Sequence, residues 1–284
     1  MSQTLSQQQL RQYRSDGYLL AREKAGSEVL ALARTILERW VDQTIESWVR
    51  KGLLESPYTE LDFEHRLIKA WEEAGRPRYS RSPRRDLVGP VMYRFLAHPD
   101  LLDLAEDLLG TSEIYLHGIF NARPKLPDQK WTDTPWHQDA QYFRDAENVH
   151  VVTLWIPLQR VTERNSCLQV APGLHRGALH DNYEDQETGF IGLAPKAQAA
   201  LKGISIEMNP GDVLCFTQKT PHRTLPNLSG AVRWSLDLRY EATPTVTESG
   251  RKQGFVARSR VNPQSVETCE QWLRKWENIP TGSY

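Results

Sequence analysis

Apolar residues along the first 110 positions recur at intervals of three and four, and beyond Gly110 they recur at intervals of two. The first spacing marks one face of an α-helix and the second one face of a β-strand. Ser6 followed by Gln9 is a capping-box pair that opens a short helix ending near Asp16-Gly17. Residues 18–21 then read as a short strand. Over residues 27–52, Leu30, Ala33, Leu37, Trp40, Thr44 and Trp48 share one face of an amphipathic helix. Residues 61–74 and 99–109 repeat the pattern, and Gly110 closes the second.

Residues 113–123, 151–158, 167–171, 204–208, 213–217 and 233–240 are short runs rich in Val, Ile, Leu, Trp, Tyr and Phe. Pro172-Gly173, Pro210-Gly211 and Ser229-Gly230 supply turns between them. Many short strands with turns predict a β-sandwich or barrel, of which the double-sheet jelly roll is one form. Residues 177–203 form a long acidic connection, the kind of segment that serves as a lid or binding loop. Residues 265–276 read as a final helix. The expected organisation is one domain over 1–284. Its parts are a mainly helical portion (1–110), a jelly-roll core (111–245) and a C-terminal extension (246–284).

Composition narrows the functional classes. Apolar residues make up 39% and charged residues 25%, as in a folded globular protein. A net charge of −1 argues against a nucleic-acid binder. There is no apolar run of transmembrane length, and residues 1–9 do not read as a secretory signal. Three scattered cysteines, Cys167, Cys215 and Cys269, make neither a disulfide frame nor a cysteine zinc site, so a reducing, cytoplasmic setting is expected.

The informative stretch is Thr134-Pro135-Trp136-His137-Gln138-Asp139. If it is extended, His137 and Asp139 point to one face. His222 follows another predicted strand, opposite this one in a barrel. Two imidazoles and one carboxylate can cap one face of an octahedral ion and leave three positions open, which suits Fe(II) without excluding Mn, Co, Ni or Zn. His-x-Asp alone is a weak signal. Arg233, eleven residues beyond His222, strengthens it. A buried arginine needs an anion, and its planar fork fits a carboxylate. Metal and arginine together would suit a 2-oxo-dicarboxylate.

Residues 120–240 resemble the phytanoyl-CoA dioxygenase (PhyH-like) family of Fe(II)/2-oxoglutarate-dependent oxygenases. The resemblance is carried by Trp136-His137-Gln138-Asp139 with Tyr142-Phe143, by Trp155, by Asn165 through Gly177, by Gly211-Asp212-Val213-Leu214-Cys215-Phe216, and by His222, Thr224 and Arg233. Tyr13 through Tyr18 is similar to the family's usual N-terminus. The resemblance implies a mainly β fold with flanking helices, its core a cupin-like double-stranded β-helix. It implies iron ligation by His137, Asp139 and His222. It assigns Arg233 and Thr224 to the far carboxylate of 2-oxoglutarate and Trp155 to a place beside that co-substrate. The presence of Asp139 separates the chain from related halogenases. The implied reaction consumes O2 and 2-oxoglutarate, yields succinate and CO2, and oxidises an unactivated C–H; ascorbate supports such enzymes.

Gln138, Gln141, Tyr142 and His117 are further candidates for the substrate pocket. So is Arg81, from the arginine-rich run 76–85. The expected partner is a small molecule rather than nucleic acid or membrane, with the chain a monomer or homodimer. A small polar or carboxylate-bearing secondary metabolite is the favoured substrate class, tailoring of a mycosporine-like amino acid being one instance. The alternatives are an acyl-CoA hydroxylase of the same family, an O2-independent cupin-like isomerase or hydrolase, and a non-catalytic binding module.

Overall fold

The computed structural model describes residues 3–77 and 83–280. Its helices are α1 (Gln7–Asp16), α2 (Ser27–Arg50), α3 (Phe63–Glu73), α4 (Arg84–Leu87), α5 (Pro90–Leu96), α6 (Pro99–Leu109), α7 (Pro195–Ala199), α8 (Glu248–Arg251) and α9 (Cys269–Arg274). Its strands are β1 (Tyr18–Ala21), β2 (Ile114–Leu116), β3 (Asn121–Ala122), β4 (Val151–Pro157), β5 (Leu168–Val170), β6 (Asn182–Glu184), β7 (Ile191–Leu193), β8 (Ile204–Ile206), β9 (Val213–Thr217), β10 (His222–Thr224), β11 (Ser235–Ala242) and β12 (Phe255–Arg258).

The major sheet is antiparallel, ordered β1-β9-β4-β11-β2-β12, with β3 also on β11. A minor sheet, β10-β5-β8, lies against it. Strand alternation sorts the major sheet into two faces. Leu19, Val152, Leu154, Ile156, Cys215, Leu236, Leu238 and Tyr240 join one apolar core with α2, α5 and α6. Tyr18, Trp155, Leu214 and Phe216 point the other way and pack with Leu168, Val170 and Ile206 of the minor sheet. The layers are therefore helices, major sheet and minor sheet, and the space between the two sheets is the interior of the jelly roll.

Local signals explain the joints. Ser6 and Gln9 form the expected capping box of α1. Gly17 ends that helix at φ +80°, where a Cβ would lie 2.4 Å from His175 Nδ1 and clash. Trp234 is fully buried, stacked on Phe63 at 4.7 Å and edge-on to Trp40 at 6.2 Å, so α2 and α3 close over the end of the major sheet. Trp272 and Trp276 dock the C-terminal segment against Phe120.

Some expectations need correction. The long connection 177–203 carries elements that were not foreseen, the β6–β7 hairpin and α7. The strand expected over 113–123 breaks into β2 and β3. Neither α5 nor β12 was anticipated, because both are short and their burial comes from tertiary packing. Among the described residues, no helix is long and apolar enough to cross a membrane.

Candidate active site

His137, Asp139 and His222 converge between the sheets, all buried, with ligand atoms within 4.8 Å of one another. The route differs in part from the one expected. His137 and His222 are direct antiparallel neighbours, exchanging backbone N–H···O bonds of 3.0 Å in both directions. Asp139 is not in an extended strand, since the chain turns there into a 3₁₀ segment, Asp139–Gln141. Gln138 between them is extended (φ −116°, ψ 131°), so residues 137 and 139 share one side as expected, and the turn then carries the chain away. Asp139 Oδ1 lies 3.7 Å from His137 Nε2 and 4.0 Å from His222 Nε2.

Backbone carbonyls fix both rings. His137 Nδ1 donates to Pro135 O at 2.8 Å and His222 Nδ1 to Thr220 O at 3.0 Å. Each bond leaves Nε2 as the lone-pair nitrogen facing Asp139, the orientation a metal ligand requires. Burial, and then His137, push His222 down to about 3, so its ring is neutral at physiological pH. Burial alone would raise the Asp139 carboxyl, but Arg239 with His137 and His222 outweighs it and holds Asp139 well below the usual range. Two imidazoles and an ionised carboxylate are a donor set that fits Fe(II) and other divalent first-row ions.

The register of β11 builds the rest. Arg233 pairs with Lys125, Leu236 with Ala122 and Asp237 with Asn121. Arg233, Ser235, Asp237 and Arg239 thus share the inner face with Asn121, Arg123 and Lys125. Arg233 is 1% exposed, and its Nη1 donates to Ser235 Oγ at 2.5 Å. Its guanidinium lies 5.3 Å from the centre of the Trp155 ring, and its Nε has no hydrogen-bond partner among the described residues. Burial, and then Arg123, push Arg233 down to about 9. Lys125 Nζ donates to Thr224 Oγ1 at 3.2 Å and pairs with Asp133.

One cavity is lined by the three converging residues together with Trp155, Thr224, Arg233, Arg123, Lys125, Arg223, Asp237, Arg239, Phe190 and Phe216. The remaining sequence candidates fall elsewhere. Gln138 is fully buried: its Oε1 accepts from His180 N at 2.9 Å and its Nε2 donates to Lys219 O at 2.7 Å. Gln141 Nε2 donates to His180 O at 3.0 Å. Tyr142 is exposed and its hydroxyl accepts from Ile191 N at 2.9 Å. These three side chains bind the 177–203 segment to the turn carrying Asp139 and do not line the cavity. That segment contributes Phe190 to the cavity wall. His117 is fully buried behind the site, with Nδ1 accepting from Ile119 N and Nε2 3.3 Å from Glu241 Oε1. Arg81 lies outside the described residues, whereas Arg84 and Arg85 bond backbone carbonyls of Phe120 and Ile279.

Sequence reading missed Lys125, Arg123, Asp237, Arg239, Thr153 and Phe190. A signal for Asp237 and Arg239 was present: charges alternating with Leu236, Leu238 and Tyr240 in one strand.

Residues 13–235 match the family model described as "Phytanoyl-CoA dioxygenase (PhyH)". The chain is 25% identical over 247 residues to a probable phytanoyl-CoA dioxygenase of Caenorhabditis elegans, covering 83% of this chain and 75% of that protein. It is 26% identical over 178 residues to the peroxisomal phytanoyl-CoA dioxygenase of Mus musculus, covering 60% of this chain and 52% of that one. Against the mouse protein the chain thus spans about half the relative's length. Among solved structures, the crystal structure of EctD from S. alaskensis with 2-oxoglutarate and 5-hydroxyectoine superposes with a TM-score of 0.60 at 20% identity. The match covers 86% of this chain and 79% of EctD and shows a shared fold.

Proposed function

The chain belongs to the phytanoyl-CoA dioxygenase family, and from that premise we propose that it is a non-haem Fe(II)- and 2-oxoglutarate-dependent oxygenase of a small molecule. The observation that carries the reading is one cavity holding three converging ligand atoms and, on the same wall, a buried arginine with no anionic partner among the described residues. A metal and a dicarboxylate together satisfy both halves. His137, Asp139 and His222 would hold the iron. Arg233 and Thr224 would take the distal carboxylate, a charge-assisted contact that offsets the buried cation. Once bound, iron, O2 and 2-oxoglutarate supply an oxidation of an unactivated C–H coupled to release of succinate and CO2.

The chain's own residues orient and enclose. Trp155 packs under Arg233 and fixes the plane of its fork. Phe190 and Phe216 are apolar walls that limit water around the reacting centre. The domain reading rests on the shared core: α2, α5 and α6 bury their apolar faces on the same sheet that carries the site, so 1–284 acts as one unit. Three unpaired cysteines fit the reducing, cytoplasmic setting proposed for it, as a monomer or homodimer.

Charge supports the substrate class. Arg123, Lys125, Arg223, Arg233 and Arg239 line the cavity against Asp139 and Asp237. A divalent metal and a doubly charged co-substrate cancel, which leaves a positive surplus. A small polar or carboxylate-bearing metabolite complements it, hydroxylation being the expected outcome and demethylation or desaturation its variants. A CoA thioester is the second reading, favoured by the names of the nematode and mouse relatives.

The test is succinate release by purified protein with Fe(II), ascorbate and 2-oxoglutarate in air, against a substrate panel that includes free acids and CoA thioesters. Slow release, accelerated by one compound and abolished in Asp139→Ala, is expected. Folded, iron-loaded protein that releases no succinate would transfer the case to an O2-independent cupin-like enzyme.

A further inference from the structure

The two oxygens of the Asp139 carboxylate have different surroundings. Oδ1 faces the histidine nitrogens. Oδ2 turns away and accepts three hydrogen bonds: Arg239 Nε at 3.1 Å, Arg239 Nη2 at 2.9 Å and Thr153 Oγ1 at 2.9 Å. A carboxylate oxygen has about two lone-pair sites, so Oδ2 is saturated. Arg239 is itself held, because Nη1 donates to Asp237 Oδ2 at 2.7 Å. Asp237 is held in turn by Asn121 Nδ2 at 2.7 Å and Arg123 Nε at 3.0 Å. Asp139, Asp237 and Arg239 are each at most 4% exposed.

We propose that Arg239, assisted by Thr153, is a positioning residue of the metal centre: it captures Oδ2 and presents Oδ1 alone to the ion. This rests on the reading of His137, Asp139 and His222 as metal ligands. A carboxylate free to rotate can chelate through both oxygens and so occupy two coordination positions. A co-substrate that chelates through its keto-acid end needs two positions, and O2 needs a third. Pinning Oδ2 keeps them all open. The side-chain clamp matters at Asp139 in particular. Both histidines are oriented by backbone carbonyls, which no substitution removes, whereas the carboxylate is oriented by side chains. Arg239 lies on the same inner face of β11 as Asp237 and Ser235, in line with Arg233 before the strand. One stretch of chain therefore supplies both the ligand clamp and the buried cation.

The test uses Co(II) as the probe. Metal-free wild type, Thr153→Val, Arg239→Lys and Arg239→Met are titrated with Co(II), reading affinity by calorimetry and coordination by visible d–d absorption. Removing partners of this kind costs about 10–100-fold in metal affinity. Arg239→Met should weaken Co(II) by about that factor and change the absorption envelope as the carboxylate turns to chelate. Thr153→Val should weaken it roughly threefold to tenfold, and Arg239→Lys should fall between, since lysine restores the charge but not the two-pronged grip. A misfolded protein would not give Thr153→Val this graded change with an unaltered near-UV spectrum. Folded Thr153→Val with wild-type affinity and spectrum overturns the proposal, even if Arg239→Met fails to fold. Wild type and Asp139→Ala binding Co(II) equally would instead overturn the ligand assignment on which it rests.

Discussion

Replacing Arg233 by methionine should move stability and binding in opposite directions. The guanidinium is buried, and its described partners are neutral: the Ser235 hydroxyl and the Trp155 ring. Its pKa of about 9, against an ordinary value above 12, puts the cost of holding that charge on the order of 4 kcal/mol. Methionine removes this cost and keeps an adaptable apolar side chain against Trp155. The losses are the Ser235 hydrogen bond, about 1 kcal/mol, and the cation–π contact, also about 1 kcal/mol. The co-substrate-free variant should therefore be about 2 kcal/mol more stable than wild type, a rise in melting temperature of roughly 3–4 °C for a chain of 284 residues. With 2-oxoglutarate the gap closes, and it reverses where the loss of affinity is at the upper end. Ligand at 100 times its dissociation constant stabilises wild type by about 2.7 kcal/mol. The variant, having lost a desolvated charge pair, should bind roughly 30-fold to 1,000-fold more weakly and show little or none of that rise. Calorimetric melting of Mn(II)-loaded proteins, with and without 2-oxoglutarate, measures both effects. The reasoning fails if the ligand-free variant is destabilised by 2 kcal/mol or more, or if the 2-oxoglutarate-dependent rise survives.

Three further perturbations follow from the same geometry. Lys125 Nζ touches Thr224 Oγ1, so Lys125→Met should raise the 2-oxoglutarate dissociation constant about threefold to tenfold with metal affinity unchanged; an unaltered constant by titration calorimetry would confine Lys125 to its pairing with Asp133. Gln138→Leu removes the acceptor for His180 N and the donor to Lys219 O, so limited trypsin digestion should cut within 177–203 several times faster, and equal rates would show that the clamp does not hold the segment. Burial pushes His117 down to about 3, below its unfolded value of about 6.5, so the fold loses stability as pH falls from 6.5 towards 3, by about 1.4 kcal/mol per pH unit. The stability gap between wild type and His117→Leu should narrow by that amount on acidification, and parallel melting curves between pH 6.5 and 4.5 would contradict it.

Much of this protein follows from local sequence. The capping box of Ser6 and Gln9, the helical face from Leu30 to Trp48 and the turn at Gly110 are short-range chemistry, and each appears in the structure where its residues place it. The stretch Trp136 to Asp139, with Trp155, His222, Thr224 and Arg233, could be picked out because residue type and order carry the family resemblance. The means by which these residues meet could be only in part. Alternation through the extended Gln138 puts Asp139 beside His137 although a 3₁₀ turn begins there, but His222 is a paired neighbour of His137 rather than a residue across the barrel.

β11 shows where the boundary lies. Its alternation of Leu236, Leu238 and Tyr240 with Ser235, Asp237, Arg239 and Glu241 determines by itself that the strand has an apolar face and a polar face. Periodicity alone would assign the polar face to water. Only the tertiary structure buries both: the apolar face beneath the helices, the polar face inside the jelly roll, where Asp139, Arg123 and Asn121 arrive from distant parts of the chain to balance its charges. A repeat of two tells which residues share a side, because that is fixed by the backbone. What covers that side depends on contacts between residues 100 or more positions apart, and those decide whether a charge is solvated or held for chemistry.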